Sequence, residues 1–266
     1  MVDAEEQGAR QRPVAIVTGG SRGIGLAIAE ALARDGHRLV LVARDRGRLE
    51  STVDRLRTGG AEAVAAAVDL RAAGAADEVI ATARQAFGPP SVVVSNAGTA
   101  PTAKIEATDD DMLRETFELH VGAPLALARA ALPAMKAAGG GCLLHLASTA
   151  GLRGFPFTAA YTAAKHGMIG LARAFRVELA RTGIRVYALC PGFVDSDITR
   201  SAAAAIAGRG RTSADDAFAM MAAQNVIGRM HSTAEVAAAA AMLVRERPDG
   251  CVYELDRPDP GFVDQA

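Results

Sequence analysis

The chain has 266 residues, a formal net charge of −1 and 50% hydrophobic side chains. That length and apolar content fit one large α/β domain, and so small a charge offers no polyelectrolyte face to nucleic acid or to an anionic membrane. No run of about 18 apolar residues is present to span a bilayer. The opening "MVDAEEQGARQRP" is too polar for a signal peptide. A cytoplasmic chain is expected, with residues 1–12 as a flexible N-terminal tail and 13–266 as a single domain. Cys142, Cys190 and Cys251 lie far apart in apolar stretches and read as free thiols, and no histidine spacing predicts a metal site.

In chain order, "VAIVTG" (14–19), "RLVLVAR" (38–44), "AVAAAVDL" (63–70), "SVVVSNAG" (91–98), "GCLLHLAS" (141–148) and "IRVYALCPG" (184–192) read as strands. Their unbroken apolar character is that of parallel strands covered on both faces. Amphipathic helices are predicted between them over 23–35, 45–57, 76–86, 109–138 and 158–182, then over 233–244, before a last strand near 251–255. This alternation predicts an α/β doubly wound fold with a parallel seven-stranded sheet and helices on both faces. The stretch 197–225 interrupts the rhythm and reads as a substrate lid.

Ligands of such sheets bind beyond the carboxyl ends of the strands. Gly19, Arg44, Asp69, Asn96, Ser148 and the pair Pro191–Gly192 all fall there. The first strand-to-helix connection is "TGGSRGIG" (18–25), in which Gly19, Gly23 and Gly25 permit a tight turn and close backbone approach. With Ser21, Arg22 and Ile24 it offers a helix N-terminus to a pyrophosphate, which favours a dinucleotide. Arg44 follows Gly25 by 19 residues at the end of the second strand, where an acid would select NAD. Two guanidiniums, Arg22 and Arg44, suit the 2′-phosphate of NADP(H). Asp45 keeps NAD(H) as the alternative.

"TGGSRGIG", "NAG" (96–98), Ser148, "YTAAK" (161–165) and "PG" (191–192) occur in one order over residues 14–255. Together they resemble the short-chain dehydrogenase/reductase family, whose members are Rossmann-fold oxidoreductases. Each motif taken alone has a plain structural reading, such as a buried tyrosine beside a surface lysine. The resemblance implies that Tyr161 is the general acid or base, that Lys165 supports it and holds the nicotinamide ribose, and that Ser148 binds the substrate oxygen. Tyr161 and Lys165 are four residues apart and share a helix face. Asp69 with Leu70, Asn96 with Ala97 and Gly98, and Pro191, Gly192, Val194 and Ser196 take the family's remaining cofactor positions. His166, about 100° around the helix from Lys165, reads as structural.

The sequence departs from the family twice. His120, in "FELHVGAP" (117–124), stands where the family has an asparagine that supports proton relay, and the "CVYELDRPDPGFVDQA" end replaces the usual V-D-G-G. Imidazole can donate and accept, so His120 either continues the relay or is a buried structural residue. Ser148, Ala150, Phe155, Phe157 and Phe193 are expected to line an apolar substrate pocket. The resemblance implies an NADP(H)-dependent reductase of 3-oxoacyl thioesters or other ketones, assembled as a homotetramer or dimer. The alternatives are an NAD-dependent secondary alcohol dehydrogenase and a protein that binds NADP without turnover.

Overall fold

The structure is a computed structural model and describes residues 12–208, 210 and 212–264. Apart from Arg12, the tail expected over residues 1–12 lies outside the described residues. The chain runs β1 (Val14–Thr18), α1 (Gly23–Arg34), β2 (Arg38–Ala43), α2 (Arg46–Thr58), β3 (Ala63–Ala67), α3 (Ala75–Ala86) and β4 (Val92–Ser95). It continues through α4 (Asp110–Phe117), α5 (Ala123–Ala137), β5 (Gly141–Leu146), α6 (Ala159–Leu179) and β6 (Ile184–Cys190). Last come α7 (Asp197–Ala207), α8 (Ala214–Ala222), α9 (Thr233–Glu246), β7 (Val252–Glu254) and β8 (Gly261–Phe262).

The strands form one sheet in the order β3-β2-β1-β4-β5-β6-β7-β8. All neighbours are parallel except β7 and β8, which pair antiparallel. Alternate strand residues feed two cores, which is why the strands are apolar on both faces along most of their length. Ala15, Val17, Leu39, Leu41 and Leu144 pack against Ile28 and Leu32 of α1 and Val236 and Leu243 of α9. Ile16, Val40, Val93 and Leu143 face Val79 of α3, Leu127 of α5 and Met168 of α6. The strand order reverses between β1 and β4, and the cleft opens at that switch point. No helix among the described residues is long and apolar enough to cross a membrane.

Two expectations need correction. The sheet has an eighth strand: β8 is two residues long, too short for any alternation to announce it. It is locked by Phe262, whose ring packs on Gly250 where a Cβ would collide, and which meets Tyr253 edge to face at 5.3 Å. The helix predicted over 109–138 is two helices joined by a π-turn at Glu118–Gly122, where the Ala123 N–H reaches back five residues to Glu118 O. Pro124 explains the break: it has no N–H for the carbonyl of His120, and its ring crowds that carbonyl. The stretch 197–225, expected as a substrate lid, contains α7 and α8, which pack around Ala203, Ala217 and Met221.

Candidate active site

The glycine loop turns as its residue types require. Gly19 and Gly23 hold positive φ, +64° and +54°. A Cβ on Gly19 would meet Asn96 Nδ2 at 2.7 Å, and one on Gly25 would strike Gly19 O. Asn96 ties the end of β4 to this loop: its Nδ2 donates to Thr18 O at 2.8 Å, and its N–H donates to Thr18 Oγ1 at 2.9 Å. Arg22 occupies the N-cap of α1 without a side-chain cap, so the first N–H groups of the helix stay open to an anion.

At the ends of β2 and β3 the cleft is cationic. Arg44, Arg48 and Arg71 all line it. Asp69 is clamped by Arg71, with Nη2–Oδ2 at 3.0 Å, and this pairing holds its carboxyl below the usual carboxylate range. Asp45, the residue that keeps NAD(H) in play, caps α2 by accepting from Arg48 N–H at 3.0 Å. Opposite, Arg22 Nη1 pairs with Asp197 Oδ2 of α7 at 2.9 Å, bridging loop and lid.

The other end of the cleft is formed by β5 and α6. Ser148 follows β5, and its Oγ accepts from Ala150 N–H at 3.1 Å. Tyr161 and Lys165 stand one turn apart on α6, with the Lys165 ammonium 5.5 Å from the Tyr161 ring centre. Lys165 Nζ donates to Leu146 O at 2.6 Å, and only 4% of the residue is exposed. Burial lowers Lys165 to about 7 and raises Tyr161 to about 12, with a Ser148 hydrogen bond opposing the rise at Tyr161. Tyr161 is half-buried and lines the cleft. One cleft of about 750 Å³ runs from the glycine loop and Arg44 to Tyr161 and Lys165.

The short chain dehydrogenase family model matches residues 13–207. The chain is 34% identical over 233 residues to the "Putative ketoacyl reductase" of Streptomyces coelicolor, covering 87% of this chain and 89% of that protein. The chain belongs to the short-chain dehydrogenase family. Among solved structures it resembles a variant of actinorhodin polyketide ketoreductase with NADPH, at TM-score 0.88 and 32% identity, covering 93% of this chain and 97% of that one. It also resembles L-sorbose reductase of Gluconobacter frateurii complexed with NADPH and L-sorbose, at TM-score 0.87 and 29% identity, covering 96% of this chain and 98% of that one.

This short-chain dehydrogenase places His120 in the π-turn, 1% exposed, with its ring edge-on to Tyr161 at 5.6 Å between centres. Nε2 lies 2.8 Å from Thr99 O, and Nδ1 has no protein partner. Burial, and secondarily the Lys165 charge, lower His120 to about 3. The ring is therefore neutral at pH 7, with Nε2–H donating to Thr99 and Nδ1 left as a free acceptor. Gly98 makes the room, because a Cβ there would strike the His120 ring.

Not every expected residue faces the cleft. The glycine-loop residues, Arg44, Asp69, Leu70, Asn96, Ala97, Gly98, His120, Tyr161, Lys165 and Ser196 line it; Ser148, Ala150, Phe155, Phe157, Pro191, Gly192, Phe193 and Val194 are not among its lining. Val194 is bridged to His231, and Gly192 packs on Asn225 and Asp256. Ala150 is 4% exposed, whereas Phe155 meets Phe193 edge to face at 5.7 Å. Phe157 is 61% exposed at φ +63°, and its carbonyl accepts from Ala103 N–H at 2.9 Å. His166 is exposed and bonded to its own helix through Thr162 O. Sequence reasoning missed Arg48, Arg71, Thr99 and Ile198 in the cleft, as well as Thr18. Arg71 carried a signal, an opposite charge two residues from Asp69.

Proposed function

We propose that the chain is an NADP(H)-dependent ketoreductase that converts a carbonyl, of a 3-oxoacyl thioester or another apolar ketone, to a secondary alcohol. The observation that carries the proposal is the single cleft that joins an uncapped helix N-terminus and several arginines at one end to Tyr161 and Lys165 at the other. A free helix start and paired guanidiniums fit a pyrophosphate and a 2′-phosphate. Bound NADPH would supply the hydride.

The remaining chemistry belongs to side chains of this protein. Tyr161, raised to about 12, keeps its proton at neutral pH and gives it to the carbonyl oxygen as the carbon is reduced. Ser148 Oγ donates a hydrogen bond to the same oxygen and stabilises the charge that develops there. Lys165, near 7, exchanges protons at working pH and restores the Tyr161 hydroxyl. A water supplies the proton that Lys165 gives up, and His120 Nδ1 offers an acceptor that would hold that water in place. Phe155 and Phe193 give the substrate side an apolar wall. Exposed Leu113, Leu125 and Val177 on α4, α5 and α6 support assembly of copies through these helices.

Deuterium transfer tests the proposal. With NADPH labelled at the transferred position and a 3-oxoacyl thioester, mass spectrometry should find the label on the carbinol carbon. An unlabelled alcohol, or none across several ketones, would refute it and leave a nucleotide-binding protein without turnover.

A further inference from the structure

Behind the substrate wall lies a buried polar cluster that proton transfer does not use. Asp256, just beyond β7, is 0% exposed. Its two oxygens accept from Val226 N–H at 3.0 and 3.1 Å. Oδ1 lies 3.3 Å from His231 Nε2, and Oδ2 lies 3.5 Å from Arg153 Nη2. Asn225, 4% exposed, accepts from Phe193 N–H at 2.7 Å and donates to the carbonyls of Phe193 and Arg229 at 2.8 and 2.7 Å. A Cβ on Gly192 would come within 2.8 Å of Asp256 Cγ, so the turn after β6 rests directly on the carboxylate.

These contacts close a ring around the substrate side. Arg153 leaves Asp256 and lies over the Phe155 ring at 5.4 Å. Phe155 meets Phe193, Phe193 is held by Asn225, and the next residue, Val226, donates back to Asp256. Three segments distant in sequence meet there: the loop after Ser148, the turn after β6 and the exit from α8. A carboxylate this deeply buried is tolerable only when its partners are in place, so the ring forms as a unit.

We propose that Asp256 is a positioning residue for the carbonyl substrate. Through Arg153 and the 225–231 segment it sets the Phe155–Phe193 wall relative to Ser148, and so ties the C-terminal segment to substrate affinity. The proposal rests on the ketoreductase reading.

Asp256→Asn keeps an acceptor for Val226 N–H and removes the charge facing Arg153. Its KM for the carbonyl substrate should rise about tenfold, the scale of one charge-assisted contact, with NADPH affinity within about twofold. Arg153→Met should raise the same KM, and the double variant should be no worse than the worse single one, because both break one link. Amide hydrogen exchange should quicken over 149–157, 192–195 and 225–231 while 19–25 stays unchanged. Unchanged exchange in those segments would overturn the proposal. So would quickening that extends to the glycine loop with loss of NADPH affinity, the pattern of general loosening. Exchange needs no turnover, so a wild-type protein that reduces no carbonyl refutes the ketoreductase reading by a different signature.

Discussion

The two ends of the cleft are built differently. The nucleotide end is made from short connections, each lying just after its own strand: 18–25 after β1, 44–48 after β2, 69–71 after β3 and 96–98 after β4. The side proposed for the substrate is assembled from residues far apart, with Phe193 held by Asn225 and Val226 held by Asp256 through buried polar contacts. Backbone geometry over a few residues leaves a mark in sequence, because Gly19 combines φ +64° with no room for a Cβ beneath Asn96. Long-range polar packing leaves no such mark.

The largest expected effect separates the two ends. Tyr161→Phe removes the only proton-donating atom of that side chain, so kcat should fall by about 10²–10⁴ while NADPH affinity stays within about twofold. Stopped-flow binding and steady-state rates on one preparation read both. Parallel losses would mean that the two ends are one rigid unit.

Arg44→Asp attacks the other end. The KM for NADPH should rise by roughly 10- to 100-fold, the worth of a charged hydrogen bond to phosphate, with NADH nearly unaffected. Equal effects on the two cofactors would remove Arg44 from the 2′-phosphate site.

Next in size is a pH effect on stability. His120 and His145 are lowered to about 3 and about 4 by burial, from 6.5 in the open chain. Between those values the unfolded chain binds the extra protons. Stability therefore falls as pH drops below about 6.5, by up to about 1.4 kcal/mol per pH unit for each histidine. Both ring nitrogens of His145 lack partners, so His145→Leu should flatten the slope at little cost at pH 7. Urea midpoints at pH 7 and pH 5 measure it; an unaltered slope would be inconsistent with a buried neutral imidazole.

The smallest effect concerns the relay. His120→Ala should lower kcat about three- to tenfold, the scale of one hydrogen bond near 1 kcal/mol, and shift its pH profile. An unchanged profile would make the imidazole purely structural.

Most of the fold was legible because every strand but one is longer than two residues and mostly apolar. The expected seven strands and single long helix failed at particular places. Phe262 and Gly250 make a strand by packing across the sheet edge, and Pro124 breaks a helix whose apolar period continues through it. In the site, spacing sufficed for the glycine loop and for Tyr161 with Lys165. It could not reveal that Val194 is bridged to His231 and that Gly192 packs on Asn225 and Asp256, since those partners arrive more than 30 residues later.

In the proposed reaction one cleft serves both nucleotide and carbonyl. The most direct measurement follows cofactor oxidation by the wild-type protein across 3-oxoacyl thioesters and simple ketones, with NADPH and NADH in parallel. The account predicts turnover of at least one carbonyl, with NADPH preferred by roughly tenfold or more, the scale of one charged contact. Tight NADPH binding without oxidation on any carbonyl, and without NADP reduction by the matching alcohols, would contradict it.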